Sequence, residues 1–192
     1  MVSMTGVPVG PITQGAISIV SSGETVLSQK TTDEAPAINS EGSEVVNLEV
    51  KAEAIDAYFR DRGMPLAGYG KKMVIEAEKN GLDWRLVAAI AVRESTGGKF
   101  TPSGDNDNPF GWGKPSKDHF QSFDHAIETV ARNLGGNNPN TAHYYADKTT
   151  LQILRAYNPP SIVPRYGEQV IHIMDTISDV NLGLNTSQLS EA

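Results

Sequence analysis

The chain has 192 residues, no cysteine and a formal net charge of −7. That length supports one domain with a sizeable core plus tails, and the missing cysteines exclude disulfides and thiolate metal sites. No run approaches the roughly 20 apolar residues that span a bilayer, and no Lys/Arg cluster forms a nucleic-acid footprint.

Residues 1–50 hold six acids and one Lys, and residues 175–192 hold three acids and no base. Residues 51–174 hold fourteen acids and fifteen bases, so the acidity sits in the tails. All thirteen aromatic residues lie between Tyr58 and Tyr166. A segment without aromatics buries too little apolar area to offset its ordering entropy. Residues 1–46 are therefore expected to be a flexible leader or linker. The apolar stretch Ala16–Val20 is too short for a signal peptide.

A first helix is expected from a cap at Asn47 to about Arg62, with Leu48, Ile55, Tyr58 and Phe59 inward and Gly63 as its stop. A second is expected over Ala67–Lys79, ended by Asn80-Gly81. Asp83 caps a third, which runs to Glu94. From Gly97 to Ser122 there are five Gly and three Pro and no helical periodicity. Asp124–Leu134 is helical, with Ile127, Val130, Ala131 and Leu134 as its stripe. Thr150–Tyr157 is helical up to the prolines. Val163 to about Ser178 is the last helix, with Val170, Ile173, Met174 and Ile177 inward, and residues 179–192 form a frayed tail. The fold class is mainly α, with domain limits at about 47–178.

Glu94 is the residue out of pattern. Val87, Ile90, Ala91 and Glu94 fall on one face of the third helix, at i, i+3, i+4 and i+7. Apolar surroundings favour a carboxyl's protonated form, and a protonated carboxyl is the general acid of glycoside cleavage. Ser95-Thr96-Gly97-Gly98 ends the helix and leaves that carboxyl at an edge. The plain alternative is a solvated residue at a helix end. Fourteen residues further the chain reads Asn108-Pro109-Phe110-Gly111-Trp112, which alone is a turn with a hydrophobic plug.

An Ala/Ile-rich helix ending in Glu94-Ser95, then Asn108-Pro109-Phe110-Gly111-Trp112, then Phe120-Gln121-Ser122-Phe123 leading into a helix, resembles the bacterial glucosaminidase family of the lysozyme-like superfamily. Ala156-Tyr157-Asn158, Arg165-Tyr166 and Val170 resemble the related lytic transglycosylases. The resemblance covers about residues 50 to 176. Two departures stand out: Pro159-Pro160 follow Asn158, and no second Glu lies between Glu94 and Glu128.

The resemblance implies a lysozyme-like helical domain with a small irregular or β lobe around Gly97–Ser122. It also implies a hydrolase that cleaves β-1,4 bonds of peptidoglycan or a related N-acetylglucosamine polymer. Glu94 and Tyr157 are the implied catalytic residues. Ser95, Asn108, Phe110, Trp112 and Tyr145 are the candidate substrate contacts: aromatic faces stack on sugar rings and the Asn amide bonds an N-acetyl group. Tyr157 is otherwise a core tyrosine with its hydroxyl at the rim, and Ser95 a helix-end hydrogen bonder. Asp105, Asp107, Asp118 and Asp124 are candidates for a second carboxylate.

No cofactor or metal is expected. Gly104-Asp105-Asn106-Asp107-Asn108 departs from a calcium loop, because Pro109 and Phe110 stand where a ligand and Gly belong. The four histidines lack zinc spacing. The alternatives are lytic transglycosylase action, or a non-catalytic wall-binding or virion-structural module on the same fold. An extracytoplasmic location follows from the reading: cell wall, secreted or phage-associated, with the tails available to dock onto a larger assembly.

Overall fold

The computed structural model describes residues 40–101, 107–113 and 120–190, with the backbone alone at 40–43 and 181–190. Its helices are α1 (Ser40–Asp61), α2 (Gly70–Lys79), α3 (Leu86–Ser95), α4 (Phe123–Leu134), α5 (Ala142–Tyr145), α6 (Thr150–Tyr157) and α7 (Tyr166–Ser190). The fold is mainly α, and no strand occurs among the described residues. The segment expected to form a small lobe is built of turns where it is described; residues 102–106 and 114–119 lie outside.

α3 is the central element. Leu86, Val87, Ala88, Ala89, Ile90 and Ala91 are all fully buried, as befits a helix that is apolar all round. It packs against α2, α4 and α7. α1 lies along α2 and α7 and buries Ile55, Tyr58 and Phe59. Met73 and Val74 from α2, Ile127 and Leu134 from α4, Leu154 from α6 and Val170 and Ile177 from α7 complete one continuous core.

The chain turns are explicit in the hydrogen bonds. Gly63 takes φ +59 past the end of α1, and the Met64 N–H returns to the Phe59 carbonyl at 2.9 Å, as a left-handed helix stop requires. Asp56 then accepts from the N–H groups of Gly68 and Gly70, at 2.7 and 2.8 Å. That bond sets the start of α2 at Gly70 rather than Ala67. A Cβ on Gly70 would lie 2.2 Å from the Ala52 carbonyl oxygen, so only glycine lets α2 press against α1 here.

Several helix limits differ from the sequence expectation. α1 begins at Ser40, ahead of Asn47, so the leader boundary at residue 46 falls inside a helix. Residues 1–39 of that expected leader lie outside the described residues. Asp83 still organises the start of α3, accepting from the Arg85 N–H at 3.0 Å, but through a turn that delays the helix to Leu86. α4 begins one residue early because Ser122 caps it, accepting from the His125 N–H at 3.2 Å. α6 matches its expected span and starts with a capping box of Thr149 and Gln152. α7 begins at Tyr166, after Pro164 and a left-handed Arg165 with φ +63. It continues to Ser190 rather than fraying at 179, because no proline interrupts it and the interior Gly183 costs only about 1 kcal/mol. α5 was not anticipated.

Charged groups stitch the helices at the periphery. Arg85 binds Asp83 through two nitrogens and reaches Ser178 Oγ of α7 at 2.5 Å. Glu76 is buried on α2 and accepts from Lys72 and Lys79, at 3.0 and 3.3 Å. Lys72 also lies 3.7 Å from Glu128 of α4. No described helix is long and apolar enough to cross a membrane.

Burial alone raises the pKa of Glu76, and the hydrogen bonds of Lys72 and Lys79 outweigh it, leaving the carboxyl below its ordinary value of 4.5. A depressed folded-state pKa contributes stability above the unfolded value and loses it as pH falls through the folded one. Glu76→Gln is therefore expected to lower the melting temperature at pH 7 and to make little difference at pH 3. Thermal unfolding of both proteins at the two pH values checks this; an equal deficit at both would assign the loss to packing instead.

Candidate active site

Glu94 stands in the last turn of α3, half-buried. Thr96 and Gly97 follow with φ +54 and +63, which turns the chain away and leaves the carboxyl at the helix edge. Oε1 accepts from the Tyr166 hydroxyl at 2.5 Å. Oε2 faces Gly111, where an added Cβ would stand 3.3 Å away. Gly111 has φ +60, a backbone conformation that calls for glycine.

The Asn108–Trp112 turn is held over Glu94 by its own side chains and by its neighbours. Asn108 Nδ2 donates to the Trp112 carbonyl at 2.9 Å, and Asn108 Oδ1 accepts from the Trp112 N–H at 3.0 Å. Ser95 Oγ donates to the Pro109 carbonyl at 2.7 Å and accepts from the Gly98 N–H at 2.8 Å. The Tyr157 hydroxyl donates to the Phe110 carbonyl. Phe110 plugs into the core with no exposed surface.

Four aromatic rings run from the cleft to the carboxylate. Trp112 lies 6.2 Å from Tyr145 and 5.7 Å from Tyr157, centroid to centroid. Tyr157 stacks on Tyr166 at 6.0 Å with 13° between planes, and Tyr166 bonds Glu94. Gly111, Trp112, Gly113, Tyr145 and Tyr157 line a cleft of about 300 Å³. The Arg93 guanidinium lies 5.6 Å from the Tyr166 ring and donates to Gln169 at 2.9 Å. Burial, first, and then the neighbouring Tyr157 and the bond to Glu94 push the Tyr166 phenol far above its ordinary value. Burial followed by the nearby Glu94 does the same for Tyr157. Both phenols therefore stay protonated and act as donors.

This geometry revises several expected roles. Ser95 and Asn108 are 2% and 3% exposed and spend their polar groups inside the protein, so they shape the site rather than touch a ligand. Phe110 is a core plug, not a cleft wall. Tyr157 presents its ring to the cleft, but its hydroxyl is committed to a backbone carbonyl, which removes it as a proton donor to substrate. Trp112 and Tyr145 do line the cleft. Tyr166 is the residue that the sequence reading left out of the site. Its signal was the Arg165-Tyr166 pair, yet a spacing of 72 residues from Glu94 says nothing about contact until α7 packs on α3.

Asp107 precedes the turn and Asp124 is exposed in the first turn of α4. Asp105 and Asp118 lie outside the described residues. Among the described residues no cluster of three His, Cys, Asp or Glu is arranged to hold a metal. Comparison with known proteins finds no matching family model, no matching curated relative and no matching solved structure.

Ser95→Ala would leave the buried Pro109 carbonyl without its donor and the Gly98 N–H without its acceptor. The expected loss is about 1–3 kcal/mol, the usual cost of unsatisfied buried polar groups. Denaturant unfolding measures it, and an unchanged midpoint would show that the turn is held by Asn108 and Tyr157 alone.

Proposed function

We propose that this chain is a cell-wall glycosidase that cleaves β-1,4 bonds of peptidoglycan, of the endo-β-N-acetylglucosaminidase type. The supporting observation is a carboxylate, Glu94, held by a buried phenol and lying against Gly111, which itself lines the aromatic cleft. Flat aromatic faces such as Trp112 and Tyr145 suit the apolar faces of sugar rings. Tyr166 holds Oε1, which leaves Oε2 on the Gly111 side as the oxygen that delivers a proton to the glycosidic oxygen.

In that reaction the C1–O bond breaks as Glu94 protonates the leaving oxygen. Water then adds at C1, with the substrate's own N-acetyl oxygen or a second acid assisting, and its surplus proton returns to Glu94. A protein acting on such a polymer works outside the cytoplasm, in a wall or a phage-associated assembly.

A lytic transglycosylase would use the same acid but close an anhydro ring with the sugar's own hydroxyl. The Asn108–Trp112 turn supports hydrolysis, while Ala156-Tyr157-Asn158 supports ring closure and is weakened by Pro159-Pro160. Glu94→Gln is expected to reduce turbidity loss of purified walls by about 10²–10⁴-fold with the fold intact. Wild-type-like lysis by that variant would refute the assignment and favour a non-catalytic module. Mass spectrometry of the digest should show fragments carrying a full added water; dominance of fragments lighter by one water would replace hydrolysis with ring closure.

A further inference from the structure

Three neighbours decide where the Tyr166 hydroxyl points. Its ring stacks on Tyr157, its oxygen donates to Glu94 Oε1 at 2.5 Å, and the Arg93 guanidinium lies 5.6 Å from its ring centroid. Arg93 is half-buried in the last turn of α3. It forms no ion pair among the described residues. Consecutive residues of a helix do not face each other, so its charge is not spent on Glu94 directly.

The guanidinium is aimed at α7 instead. Arg93 Nε donates to Gln169 Oε1 at 2.9 Å, and Gln169 stands three residues after Tyr166, on the same side of the helix. α3 therefore grips α7 with two successive side chains: Arg93 holds Gln169 and the Tyr166 ring, and Glu94 holds the Tyr166 hydroxyl. A guanidinium within about 6 Å of an aromatic centroid is attracted to the ring, and a planar fork tied down by a hydrogen bond loses little further freedom in that contact. The charge also acts on the phenol. Burial, then Tyr157 and Glu94, raise the Tyr166 pKa, and Arg93 lowers it. A cation beside a phenol favours its charged form, which makes its O–H the stronger donor.

We propose that Arg93 is a positioning residue: anchored on Gln169, it holds the Tyr166 ring so that the hydroxyl fixes Glu94 Oε1 and leaves Oε2 on the Gly111 side. This rests on the glycosidase reading above, and it adds a residue on which the rate depends although it does not line the cleft. Arg93 acts through Tyr166 and touches no reacting atom. A carboxylate with one oxygen fixed keeps the other in place for proton transfer, so loosening it lowers kcat rather than binding.

The test measures kcat and KM of the full-length chain on solubilised peptidoglycan and, separately, the NMR resonance of the Tyr166 hydroxyl proton. Arg93→Gln is expected to lower kcat by about 2- to 5-fold, the worth of a partly exposed cation–ring contact, with KM unchanged. It should also move the hydroxyl proton upfield as its bond to Glu94 weakens. Arg93→Lys keeps a cation and should recover part of both effects. Gln169→Leu removes the anchor at an exposed position and should lower kcat as Arg93→Gln does. Wild-type kcat in Arg93→Gln overturns the proposal, and so does a raised KM with kcat unchanged, which would make Arg93 a binding residue. If wild type cleaves no peptidoglycan, the glycosidase reading fails, and the hydroxyl resonance, which needs no substrate, decides the coupling by itself. An upfield shift in Arg93→Gln then supports the link from Arg93 to Tyr166, and an unmoved resonance overturns it.

Discussion

The contact on which the site depends is the clasp between the end of α3 and the Asn108–Trp112 turn. Ser95 Oγ reaches the Pro109 carbonyl at 2.7 Å while Phe110 drops into the core beside it. A turn with a positive-φ glycine has no regular ladder to fix it, so its backbone carbonyls need side-chain donors. Ser95 and Tyr157 supply two of them, and the Asn108 amide bridges the turn's ends. The result places Gly111 against Glu94 and sets Trp112 over the cleft.

The aromatic row extends that clasp toward the carboxylate. Tyr157 and Tyr166 come from opposite ends of the loop between α6 and α7, and their stacked rings close it. Each phenol then bonds a different partner: Tyr157 the turn, Tyr166 the acid. Because burial keeps both protonated, each is a fixed donor rather than a titrating group. Glu94 thus sits between the end of α3, the Asn108–Trp112 turn and the start of α7.

The supports of this arrangement lie at a distance from it. Arg85 ties the start of α3 to α7 through Ser178, and α7 in turn brings Tyr166 to the end of α3. On the other flank, Asn80 and Asn137 join the end of α2 to the chain after α4. A Cβ on Gly135 would stand 2.3 Å from the Asn80 carbonyl oxygen, so the two helix ends meet backbone to backbone. α5 packs on α4 and α6 and carries Tyr145 to the cleft.

The amino-acid sequence by itself determined the helical class, the apolar α3 with its out-of-place Glu94, and the punctuation at Gly63 and Pro159. Those features are local: periodicity, caps and breakers act within one turn of chain. It also marked the Asn108–Trp112 turn and Tyr157 as site elements. Only the tertiary structure decided what those groups do. Nothing local tells that the Asn108 amide is consumed by its own turn, that Phe110 points inward, or that Tyr157 spends its hydroxyl on a carbonyl 47 residues away. The same holds for Tyr166, whose bond to Glu94 exists because α7 packs on α3. Hydrogen-bond partnership at such separations is set by packing, and packing is a property of the whole chain.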